Sequence, residues 1–90
     1  MERVRMNVYG RVQGVGFRYS TQVKAAQLGL TGYVKNLPNG CVEIVAIGHS
    51  EALEQLQAWA EVGPAAAQVQ SVEVVAEPTA EALTGFSIRR

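Results

Sequence analysis

The order in which the hydrophobic period changes along the chain constrains its fold more than any other feature of the sequence. Apolar and polar residues alternate from Arg3 to Tyr9, a pattern that predicts a strand with one buried face. A glycine-containing loop follows from Gly10 to Gly16, and from Phe17 the apolar residues recur at the spacing of a helix, as Tyr19, Val23, Ala26 and Leu30. Gly29 is typical of the residue just beyond a helix end. The pattern therefore begins with a strand, a loop and a helix.

The middle of the chain predicts two further strands joined by a tight turn. These strands extend from Thr31 to Asn36 and from Cys41 to Gly48. Between them, a proline that fixes φ precedes an asparagine and a glycine that tolerate positive φ, in the segment Leu37-Pro38-Asn39-Gly40. This composition predicts a hairpin.

A second helix and two more strands complete the pattern. Ser50 is a candidate N-cap for a helix that extends to about Val62, where the Gly63-Pro64 dipeptide ends it. The expected buried stripe of this helix comprises Leu53, Leu56, Trp59 and Ala60. Apolar and polar residues alternate again from Gln70 to Glu77, which predicts a fourth strand. The segment from Gly85 to Arg90 predicts a short edge strand.

The resulting order, β-α-β-β-α-β plus a short C-terminal strand, predicts the α+β class and a ferredoxin-like split βαβ sandwich. Right-handed crossovers place the third strand between the first and the second, in one antiparallel sheet that carries both helices on one face. A chain of 90 residues builds one core of this kind, so we expect a single domain over residues 1–90.

This topology predicts where a site lies. The first and second strands run in the same direction with the third between them, so their C-terminal ends emerge at the same sheet edge, about 10 Å apart. The glycine loop and the helix start leave the first strand there, and Asn36 with the following turn leaves the second. Two segments distant in sequence are therefore expected to converge on one small ligand.

The composition excludes several classes of function. Eight Lys and Arg balance eight Glu, so the formal net charge is zero and gives no electrostatic argument for a nucleic-acid or membrane partner. The absence of Asp excludes an aspartyl nucleophile, and the single Cys and single His argue against a structural zinc site. One Cys also excludes an internal disulfide, and no apolar segment is long enough to cross a bilayer. We therefore expect a cytoplasmic protein.

The loop between the first strand and the first helix has the features of an anion site. Its three glycines, Gly10, Gly14 and Gly16, let the backbone curl so that successive N–H groups point inward, beside the positive end of the helix. The loop matches neither the Walker pattern nor the dinucleotide pattern Gly-x-Gly-x-x-Gly. The alternative interpretation is a strand-to-helix connection whose glycines only form turns.

Arg18 and Asn36 are the side chains with candidate chemical roles. A cation is electrostatically misplaced in the first helical turn, where Arg18 lies, and a bound phosphoryl group would remove the conflict. Arg11, earlier in the loop, is the competing candidate, and a solvated surface arginine is the alternative for both. Asn36 has an amide that both donates and accepts and is suited to hold a water molecule, although asparagine is also common just before a turn.

Two segments of the chain resemble the signature motifs of the acylphosphatase family. They are residues 10–18, GRVQGVGFR, and residues 29–36, GLTGYVKN, followed by Asn39-Gly40, while residues 85–89, GFSIR, resemble the C-terminal strand of the family. Tyr33 stands where the family usually has Trp, and Asn39 where it commonly has Asp, but neither departure falls on a catalytic position.

The resemblance implies hydrolysis of an acyl phosphate to a carboxylate and inorganic phosphate, without metal, other cofactor or covalent intermediate. The phosphate-binding arginine of the family falls on Arg18, and the water-positioning asparagine falls on Asn36. The phosphate-binding loop falls on Gln13, Gly14, Val15, Gly16, Phe17 and Arg18.

Two other functions remain open at this point. A regulatory module keeps the anion cradle and binds an acyl phosphate or another anion without turnover, and related domains also begin larger carbamoyl-handling maturation proteins. An RNA-binding sheet has the same topology but needs aromatic and basic residues on its open face, whereas the third strand reads CVEIVA. We expect a monomer that acts on a small-molecule acyl phosphate and binds neither nucleic acid nor membrane.

Overall fold

The strands and helices of the computed structural model, which describes residues 1–78 and 83–90, follow the predicted order. In chain order they are β1 (Glu2–Arg11), α1 (Phe17–Gln27), β2 (Thr31–Asn36), β3 (Val42–Gly48), α2 (Ser50–Ala60), β4 (Gln68–Glu77) and β5 (Phe86–Arg89). The ferredoxin-like βαββαβ arrangement with an added C-terminal strand is therefore confirmed. No helix in the described part of the chain is long and apolar enough to cross a membrane.

The strand order of the sheet is β4-β1-β3-β2-β5. As predicted, β3 lies between β1 and β2 and is antiparallel to both, so β1 and β2 end at the same edge. The added strand β5 pairs with β2 in parallel, so the complete sheet is mixed, and the prediction of one antiparallel sheet is wrong for this strand. Because β5 runs with β2, its C-terminal end also reaches this edge.

One hydrophobic core fills the space between the sheet and the two helices. Its sheet side consists of alternate residues of the central strands, Met6, Val8, Val34, Val42, Ile44 and Ala46. Helix α2 contributes Leu53, Leu56 and Ala60, as its apolar stripe predicts. Trp59 is partly buried and packs against Phe17, at the start of α1, with ring centroids 5.4 Å apart.

The buried face of α1 differs from the apolar stripe read in the sequence. Tyr19 is 66% exposed and Val23 is 38% exposed, whereas the buried residues are Phe17, Thr21 and Ala25. Thr21 satisfies its hydroxyl inside the helix by donating to the carbonyl of Phe17 at 2.7 Å. After Phe17, the core-facing side of α1 therefore carries one polar and one small residue. A search for large apolar residues at helical spacing does not identify this side.

The beginning of α2 also differs by one residue from the prediction. Ser50 is the first helical residue, and the N-cap is the extended residue His49, whose side chain makes no capping hydrogen bond. At the end of α1, Gly29 adopts the left-handed conformation that its position predicts, with φ +72.

Polar side chains form hydrogen bonds across the open face of the sheet. Arg3 and Arg5 both donate hydrogen bonds to the carboxylate of Glu77, from the neighbouring strand. Tyr33 donates to Glu43 at 3.2 Å, and the guanidinium of Arg89 lies 3.9 Å from the centroid of its ring. Arg89 therefore covers one face of this ring.

Candidate active site

A cavity of about 360 Å³ lies at the sheet edge where β1, β2 and β5 end and α1 begins. Its lining residues are Val12, Gly14, Gly16, Phe17, Arg18, Tyr19, Asn36, Ile88 and Arg90. The glycine loop and the end of β2, which are distant in sequence, thus border the same cavity. Two guanidinium groups and no carboxylate side chain are among these lining residues, so the cavity favours an anion.

The N–H groups of the loop between β1 and α1 and of the first turn of α1 donate no backbone hydrogen bond within the described residues. Gly14 and Gly16 have φ values of +74 and +77, a conformation that other residues rarely adopt, and the space beside both is open. Gly16 is the N-cap of α1 and has no side chain to occupy the first N–H groups of the helix. Because the first turn contains no acidic residue, these N–H groups and the helix dipole are available to an anion.

The six predicted loop residues have three different surroundings. Gly14, Gly16, Phe17 and Arg18 line the cavity, whereas Val15 packs against the hydrophobic core. The side chain of Gln13 is directed elsewhere: its Nε2 donates to the backbone carbonyls of Leu37 and Cys41, both at 2.8 Å. The amide of Gln13 therefore ties the loop to the turn that follows Asn36, a role that the sequence does not reveal.

Arg18 and Arg11, the two arginines that the sequence left in competition, have different surroundings. Arg18 is half-buried and lines the cavity, and no carboxylate of the described residues lies within 4.0 Å of its guanidinium. Arg11 is exposed at the end of β1, where it pairs with Gln68 of β4, and it does not line the cavity. The geometry therefore favours Arg18 as the residue that meets an anion.

Asn36 is the last residue of β2, and its side chain borders the cavity. Its Oδ1 is buried and has no hydrogen-bond partner within the described residues. A buried acceptor without a partner is costly, and a bound water or ligand would satisfy it. The competing role in the turn belongs to Asn39, whose Oδ1 accepts the N–H of Cys41 at 3.1 Å.

Four cavity residues, namely Val12, Tyr19, Ile88 and Arg90, were not among the predicted site residues, although Val12 belongs to the predicted glycine loop. The periodicity assigned Tyr19 to the apolar stripe of α1, although its side chain faces solvent beside Arg18. Ile88 and Arg90 lie at the cavity because β5 runs parallel to β2. The alternation of apolar and polar residues in 85–90 predicts a strand but not the direction in which it runs. The register between β5 and β2 brings both residues close to Asn36, since Ile88 pairs with Val34, two residues before Asn36.

Comparison with known proteins gives a consistent result. The family model described as Acylphosphatase matches residues 4–88. An acylphosphatase from Trichormus variabilis (strain ATCC 29413 / PCC 7937) is 53% identical over 88 residues, which cover 98% of this chain and 86% of that protein. The crystal structure of acylphosphatase from Bacillus subtilis matches with a TM-score of 0.96 and 39% identity over 100% of both chains. The structure of an acylphosphatase from Coxiella burnetii matches with a TM-score of 0.93 and 40% identity, over 98% of this chain and 92% of that one.

Proposed function

Because the chain belongs to the acylphosphatase family and hydrolyses acyl phosphates, we propose that the cavity beside α1 is where the reaction takes place. The observation that carries the proposal is that one cavity is bordered by the glycine loop, Arg18 and Asn36. In this reaction water attacks phosphorus, the bond from phosphorus to the bridging oxygen breaks, and the acyl carboxylate leaves with the electron pair. The protons of the water remain on inorganic phosphate.

The loop and Arg18 bind the phosphoryl group in this proposal. The free N–H groups at the start of α1 donate to its oxygens, and the planar guanidinium of Arg18 donates two hydrogen bonds in parallel. Phosphoryl transfer proceeds through a transition state whose charge is spread over these oxygens, so fixed donors that match them lower the barrier. Among the described residues no carboxylate lies within 4.0 Å of the Arg18 guanidinium, which supports this role.

Asn36 positions the attacking water in this proposal. Its buried Oδ1 accepts a hydrogen bond from the water and directs a lone pair of the water oxygen toward phosphorus. A carboxylate is a good leaving group, so the reaction needs little help from a general acid. This agrees with the described lining residues of the cavity, which include no His, Glu or Cys.

Metal independence is part of the proposal, since charge neutralisation comes from Arg18 and backbone N–H groups. The test measures hydrolysis of benzoyl phosphate by the full chain with and without a chelator. We expect equal rates, and a loss of activity that a divalent ion restores would contradict metal independence.

A matched pair of variants tests the location of the reaction. Arg18→Lys keeps the charge but removes the planar fork, so we expect kcat/KM to fall by about tenfold or more. Arg11→Lys makes the same change outside the cavity, and we expect activity like that of the wild type. Phosphate binding without any hydrolysis would instead indicate a non-catalytic anion-binding module. That the enzyme is a cytoplasmic monomer stays a prediction from the sequence.

A further inference from the structure

The cavity contains an exposed aromatic residue for which binding and hydrolysis of the phosphoryl group leave no role. Tyr19 lines the cavity next to Arg18 but is 66% exposed, so its ring contributes little to the core of the free protein. The other large apolar residues of the lining differ in this respect, since Val12 and Phe17 are at most 2% exposed. Ile88, at 39%, is the remaining exposed apolar side chain of the lining.

The geometry of phosphoryl transfer separates Tyr19 from Ile88. Attacking water and leaving group lie roughly in line on opposite sides of phosphorus. If Asn36 holds the water, the acyl group lies on the side away from the end of β2. Ile88 belongs to the strand hydrogen-bonded to β2 and pairs with Val34, so it is on the water side. Tyr19 projects from α1, a different element, and borders the same cavity.

We propose that Tyr19 contacts the acyl group of the substrate and makes the enzyme prefer acyl phosphates with an aromatic or large apolar acyl group. This inference rests on the proposed location of the reaction. The acyl carbon is separated from phosphorus by one oxygen, so a group bound beside the loop must carry its acyl part into the neighbouring space. The ring of Tyr19 is exposed at the border of this cavity, so an apolar acyl group that packs against it removes apolar surface of both from water. The binding energy adds to kcat/KM only for substrates large enough to reach the ring.

The experiment compares benzoyl phosphate with acetyl phosphate, which differ only in the acyl group. For the wild type we expect a higher kcat/KM with benzoyl phosphate, and for Tyr19→Ala we expect the ratio of the two values to fall about tenfold. Tyr19→Phe keeps the ring and is expected to keep the ratio. The inhibition constant of inorganic phosphate, which has no acyl group, is expected to stay within about twofold of the wild type in Tyr19→Ala.

Two control variants make the result specific. Val75→Ala shortens an exposed apolar residue of β4 outside the cavity, and we expect it to change neither kcat/KM value. Ile88→Ala changes the side of the cavity where the attacking water is proposed to lie. We expect it to change kcat/KM for benzoyl phosphate and for acetyl phosphate by the same factor. An unchanged ratio in Tyr19→Ala, or a ratio that depends on Ile88 instead, would overturn the inference. Failure of the wild type to hydrolyse either compound would contradict hydrolysis in this cavity and would be seen before any variant is compared.

Discussion

The side-chain amide of Gln13 donates a 2.8 Å hydrogen bond to the backbone carbonyl of Leu37, the residue that follows Asn36. A second bond from the same nitrogen reaches the carbonyl of Cys41, at the other end of the turn. The turn also closes on itself, because the N–H of Leu37 donates to the carbonyl of Cys41 at 2.9 Å. One side chain thus fixes the distance between the anion cradle and the strand that carries the proposed water-binding residue.

Removing this link is expected to impair turnover more than phosphate binding. Gln13→Leu keeps the approximate size of the side chain without the donors, and small misplacements of reacting groups cost large factors in rate. We expect kcat to fall by about tenfold, with a smaller rise in the inhibition constant of phosphate. Gln55→Leu, on the exposed side of α2, is the control and is expected to leave kcat unchanged. A lower Tm with an intact kcat would show that Gln13 only stabilises the fold.

Inorganic phosphate, as a product, is expected to compete with the substrate. It occupies the same N–H groups and Arg18 as the phosphoryl group, so increasing phosphate raises the apparent KM and leaves kcat unchanged. Sulfate is expected to act in the same way because it has the same tetrahedral shape. Steady-state rates at several phosphate concentrations check this, and a fall in kcat at saturating substrate would contradict a shared site.

The elements that the sequence predicts well are those whose signal is local. The exact span of β2 follows from flanking turn residues, and the loop before α1 is visible from its glycines. Convergence of the loop and Asn36 also follows from the pattern, since the crossover rules fix which strands end together.

The features that the sequence does not reveal depend on contacts between distant residues. The bonds from Gln13 join positions 24 and 28 residues apart, and no local pattern records them. The direction of β5 depends on the edge where it pairs, so the arrival of Ile88 and Arg90 at the cavity was not predictable. The buried side of α1 was misread because Thr21 satisfies its hydroxyl within the helix and packs like an apolar residue.

Gly32 is a position where a single methyl group is expected to prevent normal pairing of β2 and β3. Its φ is +139, and a Cβ at this place would collide with the backbone carbonyl oxygen of Val45. Because backbone atoms of a central strand cannot move aside easily, we expect Gly32→Ala to lower the free energy of unfolding by about 3 kcal/mol or more. Gly29→Ala is the control, since φ is also positive there but a Cβ at Gly29 would have no neighbouring atom of the described residues within 4 Å. A loss of only about 1–2 kcal/mol is expected for this variant. Equal losses in urea denaturation would contradict the steric argument.

The stability of the fold is expected to depend on pH through Glu77. Hydrogen bonds from Arg5 and Arg3 hold the pKa of the Glu77 carboxyl below its ordinary value, against the opposing effect of partial burial. Because the folded state has the lower pKa, this contribution is present above the pKa of the unfolded chain and is lost as the pH falls through the folded value.

The variant Glu77→Gln isolates this contribution. We expect it to have a lower Tm than the wild type at neutral pH, with the difference narrowing as the pH falls from about 6 to about 3. Added salt is expected to narrow the difference too, since the side chain of Arg5 is 46% exposed. Glu61→Gln, at an exposed position after α2, is the control. A difference in Tm that stays constant down to pH 3 would show that the charge of Glu77 contributes nothing.

Two asparagines, Asn36 at the end of β2 and Asn39 in the turn that follows, allow positioning of water to be separated from stabilisation of the turn. Asn36 has a buried Oδ1 without a partner in the described residues, whereas Oδ1 of Asn39 accepts a hydrogen bond within the turn. We expect Asn36→Ala to lower kcat by about a hundredfold or more, with the inhibition constant of phosphate nearly unchanged. Its free energy of unfolding is expected to stay within about 0.5 kcal/mol of the wild type, because no hydrogen bond of the fold is lost. Asn39→Ala is expected to do the reverse, with a loss of about 1 kcal/mol in stability and a kcat close to that of the wild type. The free energy of unfolding and kcat are measured on the same preparation of each variant. An Asn36→Ala protein that is destabilised but fully active would show that Asn36 stabilises the turn and does not position the attacking water.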